Sequence, residues 1–123
     1  MKLNHINLVV PDVAAACNFF EQYFDFTTEE VKGGHMIAVQ KGKDGFVLVL
    51  MAAALNKTGP VTYPDAFHIG FLTDTRGEVE RIYERLHVGG HATKAPQKIR
   101  DSFGFYFHMQ GVMIEVSAVQ KPV

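Results

Sequence analysis

The chain contains an internal repeat, which constrains its fold more than any other feature of the sequence. Residues 3–12 and residues 66–74 each place a histidine early in an apolar run and an aspartate at the end of that run. In each copy a stretch with helical spacing follows, and a later apolar strand begins with a glycine, at residues 45–50 and residues 111–116. Such self-similarity indicates that one supersecondary unit occurs twice. We therefore expect two modules of similar structure.

Each copy predicts the same order of elements: one strand, one helix and three further strands. In the first copy Pro11 ends the opening strand, and Asp12 is a favourable N-cap for the helix that follows. In the second copy Thr75 and Glu78 form the pattern of a capping box, and the two glycines at residues 89–90 signal the end of the helix. The expected fold class is α+β, with two βαβββ modules that contain about eight strands and two helices. Strands are predicted at residues 6–10, 27–31, 36–39, 46–51, 67–72, 91–94, 103–108 and 112–117.

The whole chain is expected to form a single domain, because 123 residues are enough to bury one hydrophobic core. Module one is predicted at about residues 1–53 and module two at about residues 66–119, from the limits of the repeat. The connector between them, about residues 54–65, is rich in residues that break helices and strands.

The composition excludes several classes of partner. Twelve Lys and Arg balance thirteen Asp and Glu without a basic run, which argues against nucleic acid and an anionic membrane surface. The longest apolar run, residues 46–55, is far shorter than the roughly twenty residues of a membrane-spanning helix. No secretory signal is visible, and the single cysteine, Cys17, excludes an internal disulfide. We expect a cytoplasmic protein in which Cys17, on an apolar helical stripe, is a buried small hydrophobe.

Three residues of metal-ligand type fall on equivalent points of the repeat. His5 and His68 open the two modules, and Glu115 lies four residues after the glycine that begins the last strand. Val49 holds that last position in the first module. Because side chains alternate between the two faces of a strand, modules related by a pseudo-twofold axis would direct these positions towards a common centre. Neutral imidazole and ionised carboxylate bind divalent transition metals, and three protein ligands leave positions open for substrate.

Each of these residues taken alone also has an ordinary structural explanation. A histidine at the start of a strand is commonly a polar residue at a sheet end, and a glutamate on a terminal strand commonly faces solvent. The metal hypothesis depends on the agreement of three ligand types at positions that the repeat makes equivalent.

Three further residues are weaker candidates for a catalytic role. His108 is either an acid or base close to the site or a solvent-exposed residue next to a turn. Tyr106 is either a hydrogen-bond donor to a ligand or a core residue. Arg100 is either an anion anchor or a surface residue.

The chain resembles the vicinal-oxygen-chelate superfamily, which includes glyoxalase I, extradiol dioxygenases, fosfomycin-resistance thiol transferases and bleomycin-binding resistance proteins. The resemblance rests on residues 5–12 with 19–24, residues 67–71 and residues 111–116, and it covers nearly the whole chain. It implies paired βαβββ modules that form a U-shaped mixed sheet around a central cleft. His5, His68 and Glu115 match the metal positions of the family. Small members are commonly homodimers, often with modules from two chains completing each site.

The sequence also departs from the patterns of individual subfamilies. Members similar to glyoxalase I carry a glutamate where this chain has Val49, and that carboxylate serves in proton shuttling. A valine neither binds a metal nor moves a proton, so glyoxalase I activity is disfavoured. The basic cluster expected of the thiol transferases is only partly present, as Lys94, Lys98 and Arg100. The Asp-Pro-Asp-Gly turn common before the last strand is replaced by His-Met-Gln-Gly at residues 108–111.

Three functions remain open from the sequence. The first is a divalent-metal-dependent lyase, transferase or dioxygenase that uses Fe, Mn, Ni or Zn on a small oxygen-rich or aromatic substrate. The second is a metal-free protein that binds or sequesters a small molecule, similar to bleomycin-resistance proteins. The third is a module with a filled cleft whose role is assembly.

Overall fold

The computed structural model describes residues 1–119. The chain divides into two compact units, and the boundary along the sequence falls between Thr62 and Tyr63. Each unit is one βαβββ module, and the described residues contain eight strands and two α-helices, which confirms the predicted α+β class. The first module consists of β1 (His5–Val10), α1 (Val13–Phe24), β2 (Thr27–Lys32), β3 (Ile37–Lys41) and β4 (Val47–Ala52). The second consists of β5 (His68–Thr73), α2 (Arg76–Val88), β6 (Gln97–Ile99), β7 (Ser102–Met109) and β8 (Val112–Val119). A short 3-10 helix, Ala53–Leu55, follows β4.

The two sheets have the same topology. Their strand orders are β1-β4-β3-β2 and β5-β8-β7-β6, and in each the opening strand runs parallel to the last strand of its module. Asn7 pairs with Val49 in the first sheet, and Gly70 pairs with Glu115 in the second. The register therefore makes Val49 and Glu115 structurally equivalent, as the repeat predicts.

Helix α1 begins and is anchored as its sequence predicts. The Asp12 carboxylate accepts a hydrogen bond from the Ala15 amide at 3.0 Å, which satisfies one of the free amides of the first turn. Phe20 is fully buried and contacts the ring of Phe26 with centroids 5.7 Å apart. Burial of a side chain of this size stabilises the fold by roughly 1.5–3 kcal/mol.

Cys17 is buried against the sheet, as predicted, with 4% of its surface exposed. Burial and the negative charge of Glu21 raise the pKa of the Cys17 thiol, and a hydrogen bond with Thr28 lowers it by less. The neighbouring Gln40 is fully buried, and its amide donates to the Cys17 carbonyl and to the Thr28 hydroxyl at 3.0 Å each. The thiol is therefore a protonated core group.

Helix α2 is capped at both ends. The Thr75 hydroxyl accepts a hydrogen bond from the Glu78 amide at 3.2 Å. At the other end Gly90 adopts a left-handed conformation with a φ of 80°, and the His91 amide donates to the Leu86 carbonyl at 2.8 Å. Glycine adopts this conformation without strain, which explains the stop signal.

The strand predicted at residues 91–94 is wrong. This segment is irregular because side chains of α2 bind its carbonyl groups, which are then not available to a sheet. The Tyr83 hydroxyl donates to the Thr93 carbonyl at 3.1 Å, and His87 Nδ1 lies 2.9 Å from the Ala92 carbonyl oxygen. The next strand is the short β6, which begins only at Gln97.

Each helix covers one face of its own sheet. Gln40 of β3 contacts α1, and Phe105 of β7 packs edge-on against Tyr83 of α2 with centroids 5.3 Å apart. Because side chains alternate along a strand, the other face of each sheet does not contact the helix of its module. We call it the helix-free face. In the first module it carries His5, Asn7, Val9, Ile37, Val39, Val47, Val49 and Met51; in the second it carries His68, Gly70, Leu72, Tyr106, His108, Met113, Glu115 and Ser117.

Among residues 1–119, neither helix has the length and apolar character that a membrane span requires.

Candidate metal site

The second module brings His68 and Glu115 into direct contact. His68 is the first residue of β5, and Glu115 lies in the adjacent parallel strand β8, on the same helix-free face. The imidazole Nε2 lies 3.3 Å from a carboxylate oxygen of Glu115, and both side chains are partly exposed. A Cβ atom added at Gly70, which pairs with Glu115, would meet no atom within 4 Å. The carboxylate is therefore accessible on the side of β5.

The other ring nitrogen of His68 is held by the backbone. Nδ1 lies 3.0 Å from the carbonyl oxygen of Ala66, and a carbonyl oxygen only accepts hydrogen bonds. Nδ1 therefore carries a hydrogen, and in the neutral imidazole Nε2 presents a lone pair towards Glu115. A lone pair facing a carboxylate oxygen is favourable only when a cation, either a proton or a metal ion, lies between them.

Tyr106 is the third polar side chain of this group. It lies directly across from Glu115 in the antiparallel β7–β8 pair, and its ring meets that of His68 edge-on with centroids 5.8 Å apart. Burial, the negative charge of Glu115 and a hydrogen bond to that carboxylate together raise the pKa of the Tyr106 phenol. The phenol thus keeps its hydrogen at neutral pH and donates it to Glu115.

His5 opens β1 in the first module, and its side chain is exposed. Its Nδ1 lies 2.7 Å from the side-chain amide oxygen of Asn4. Val49, the residue equivalent to Glu115, pairs with Asn7 on one side and with Val39 on the other. The first module therefore has no carboxylate at this position, and Val39 stands where the second module has Tyr106.

The two remaining candidates lie at opposite ends of β7. His108 is exposed on the helix-free face, two residues from Tyr106, which corresponds to about 7 Å along a strand. Arg100 lies in the turn between β6 and β7 with a φ of 53°. The four steps along the strand from Ser102 to Tyr106 alone span about 13 Å, so Arg100 is not brought to Glu115.

Among residues 1–119, no group of three His, Cys, Asp or Glu side chains is arranged to hold a metal ion. Two of the three predicted ligands, His68 and Glu115, meet in the second module, and His5 is described within the first. The three-ligand site remains a prediction.

The hydrogen-bond acceptors that hold the two histidines were missed from the sequence. Asn4 directly precedes His5. An acceptor side chain next to a suspected ligand is a signal that could have identified Asn4 as the partner of His5. The Ala66 carbonyl has no such signal, because every residue carries a backbone carbonyl.

Comparison with known proteins agrees with this architecture. Residues 2–116 match the family model of the Glyoxalase/Bleomycin resistance protein/Dioxygenase superfamily. A structure described as a possible glyoxalase from Bacillus cereus is 35% identical, with 94% of this chain and 97% of that chain covered and a TM-score of 0.79. No curated protein shows significant sequence similarity to the chain.

More distant structures share the fold. A glyoxylase/bleomycin resistance protein/dioxygenase domain from Frankia sp. EAN1pec is 19% identical, with 100% of this chain and 95% of that chain covered and a TM-score of 0.83. The fosfomycin resistance protein FosX from Listeria monocytogenes is 20% identical, with 95% and 90% covered and a TM-score of 0.74. From the family match and the shared two-module fold, the chain belongs to the glyoxalase/bleomycin resistance protein/dioxygenase superfamily.

Proposed function

We propose that this protein is a divalent-metal-dependent enzyme that acts on a small oxygen-rich or aromatic substrate, with His5, His68 and Glu115 as the metal ligands. The observation that carries the proposal is the geometry of His68. Its Nδ1 donates to the Ala66 carbonyl, and its Nε2 faces a Glu115 oxygen at 3.3 Å.

The spacing of these two atoms fits a shared metal ion. Ligand bonds of about 2.1 Å place neighbouring ligand atoms about 3.0–3.4 Å apart in octahedral or tetrahedral geometry. A carbonyl partner on the other ring nitrogen is typical of metal-binding histidines, because it fixes the tautomer that exposes Nε2. The donor set suits Fe, Mn, Ni or Zn.

A bound ion would act as a Lewis acid towards two neighbouring oxygens of the substrate. The protein residues then have separate tasks. Tyr106 donates its hydrogen to Glu115 and so holds the carboxylate in one orientation. His108, on the same helix-free face, is the residue best placed to exchange a proton with a substrate bound beside Tyr106. Arg100 is the weakest of the three candidates, since the turn that carries it is distant from Glu115.

Val49 distinguishes this site from that of glyoxalase I. Its side chain supplies neither a fourth ligand nor a proton acceptor, and no other carboxylate lies across from it in β1 or β3. We therefore propose a lyase, transferase or dioxygenase activity that needs three protein ligands, and a glyoxalase I mechanism is disfavoured. The family resemblance suggests the substrate classes to examine first, which are 2-oxoaldehyde–thiol adducts, epoxides and catechols.

The expected assembly is a homodimer in the cytoplasm, in which modules pair within one chain or across two. This expectation derives from the family resemblance and from the single cysteine. The mass in solution, measured by light scattering, tests the oligomeric state directly, and a monomer would contradict it.

Metal binding is the decisive test of the proposed function. Protein purified without chelator should bind one divalent ion per chain, measured by elemental analysis and by titration calorimetry with Mn²⁺, Ni²⁺ and Zn²⁺. His5→Ala, His68→Ala and Glu115→Gln should each abolish stoichiometric binding. His35→Asn and Glu80→Gln are matched controls on exposed residues and should bind as the wild type does. Absence of binding in the wild type, or ligand variants that bind like the controls, would refute the proposal.

A metal-free binding protein is the alternative, and the first module favours it. Its helix-free face is largely apolar and includes the half-buried Val39, Val49 and Met51. Such a surface suits an aromatic or aliphatic ligand. The contact of His68 with Glu115 would then be an ion pair between a protonated imidazole and the carboxylate. Tight binding of an aromatic ligand that a chelator leaves unchanged would favour this alternative, whereas loss of binding on chelation would favour the metal-dependent enzyme.

A further inference from the structure

Both histidines that open the modules are held at the same ring nitrogen, but by different groups. His68 Nδ1 is 3.0 Å from the backbone carbonyl oxygen of Ala66, and His5 Nδ1 is 2.7 Å from the side-chain oxygen of Asn4. Both partners are oxygen acceptors, so both contacts require a hydrogen on Nδ1. The neutral form of each ring then presents the lone pair of Nε2.

The backbone of Asn4 is fixed independently of its side chain. Its carbonyl accepts a hydrogen bond from the Val47 amide at 2.9 Å, which ties the residue to β4 directly before β1 begins. The side-chain amide of Asn4 therefore extends from a fixed backbone position, and its short contact with Nδ1 restrains the ring of His5. No such side chain is needed in the second module, where a carbonyl two residues before the histidine does the same work.

We propose that Asn4 is a positioning residue that selects the Nδ1–H tautomer of His5 and thereby makes Nε2 available as a metal ligand. The use of Nε2 by a metal rests on the proposed function, whereas the choice of tautomer does not. The neutral histidine side chain in water prefers the opposite tautomer, with hydrogen on Nε2, so an acceptor at Nδ1 is needed to reverse that preference.

The proposal is tested in the metal-free protein by nitrogen-15 NMR of the imidazole rings, at a pH where the histidines are neutral. The wild type should show hydrogen on Nδ1 for both His5 and His68. Asn4→Ala should shift His5 towards hydrogen on Nε2 and leave His68 unchanged, which provides an internal reference. Asn4→Asp keeps an acceptor and should retain the wild-type tautomer of His5.

The consequence for metal binding is measured by calorimetry with Zn²⁺. Asn4→Ala should weaken binding about tenfold, the lower end of the range for groups that orient a metal ligand, since the contact is exposed to water. Asn4→Asp should bind at least as tightly as the wild type. Asn18→Ala, an identical substitution at an exposed position of α1, should change neither the tautomers nor the affinity.

The proposal and the proposed function fail separately. A wild-type protein that binds no Zn²⁺ refutes the metal site, but the NMR measurement still decides what Asn4 does to His5. Hydrogen on Nε2 of His5 in the wild type, or an unchanged tautomer in Asn4→Ala, overturns the role of Asn4. An unchanged Zn²⁺ affinity in Asn4→Ala, despite a changed tautomer, likewise overturns the positioning role.

Discussion

The helix-free faces of the two modules share one backbone plan and differ in chemistry. The second carries His68, Tyr106 and Glu115 in mutual contact. The equivalent positions of the first hold His5, Val39 and Val49, so that only the histidine is kept. The strand order is the same in both sheets, and the strand pairs that carry these residues share one register, which shows that the fold does not need the polar group. The difference lies in what each face can bind.

The largest expected effect comes from replacing Glu115 of the second module with valine, the residue that the first module has at the equivalent position 49. Glu115→Val removes a proposed ligand and the partner of both His68 and Tyr106. We expect metal affinity, measured by titration calorimetry, to fall more than about 100-fold, since loss of an orienting group alone costs 10–100-fold. Glu80→Val on the exposed side of α2 is the control. Equal affinities in the two variants would show that Glu115 is not a ligand.

The reverse exchange should destabilise the first module. Val49→Glu places a carboxylate between Val39 and Asn7, without the tyrosine that donates to Glu115 in the second module. Because His5 holds the position equivalent to His68, the missing hydrogen bond is the tyrosine's. Partial burial of a carboxylate that lacks this donor should lower the free energy of unfolding by about 1–3 kcal/mol, measured by urea denaturation.

Addition of the tyrosine should recover part of that loss. In Val49→Glu with Val39→Tyr, the phenol can donate to the new carboxylate as Tyr106 does to Glu115. A double-mutant cycle with the two single variants should give a favourable coupling of about 1 kcal/mol. A coupling near zero would contradict the view that the cross-strand tyrosine stabilises the carboxylate.

Loss of the phenol hydroxyl should have a smaller effect on metal binding. Tyr106→Phe keeps the ring beside His68 and removes only the hydrogen bond to Glu115. Metal affinity should fall about tenfold, because the carboxylate is no longer held in one orientation. Tyr83→Phe removes a hydroxyl that bonds the Thr93 carbonyl instead, and its metal affinity should match the wild type.

The smallest effect concerns Cys17, which belongs to the helix-covered side of the first module. Its pKa is raised in the folded state, chiefly by burial, so folding favours the protonated thiol. The resulting stabilisation is present below the unfolded pKa of about 8.5 and is lost as pH rises through the folded pKa. The destabilisation caused by Cys17→Ala should therefore be smaller at pH 10 than at pH 7, measured by urea denaturation. A difference independent of pH would show that burial does not affect the thiol.

The repeat made the fold predictable, together with one relation within the candidate site. The glycine-led strands align Val49 with Glu115, and the strand register agrees with this alignment. The grouping of His5 with His68 and Glu115 stays a prediction. The fold and the alignment were predictable because they depend on backbone periodicity, which a sequence records directly.

What the sequence could not supply depends on side-chain geometry. The segment after α2 has a strand-like composition, but Tyr83 and His87 bind its carbonyl groups. No local sequence pattern predicts such contacts. The same holds for the oxygens that anchor Nδ1 in His5 and His68. Which ring nitrogen is bound depends on the side-chain torsion angles rather than on spacing.

X-ray absorption spectroscopy of protein loaded with Zn²⁺ tests the central claim most directly, because it identifies the atoms around the metal. The account predicts one ion per chain bound by two imidazole nitrogens and a carboxylate oxygen, with the remaining ligands from water. A spectrum that shows sulfur or a single imidazole, or a protein that takes up no stoichiometric zinc, would contradict the account.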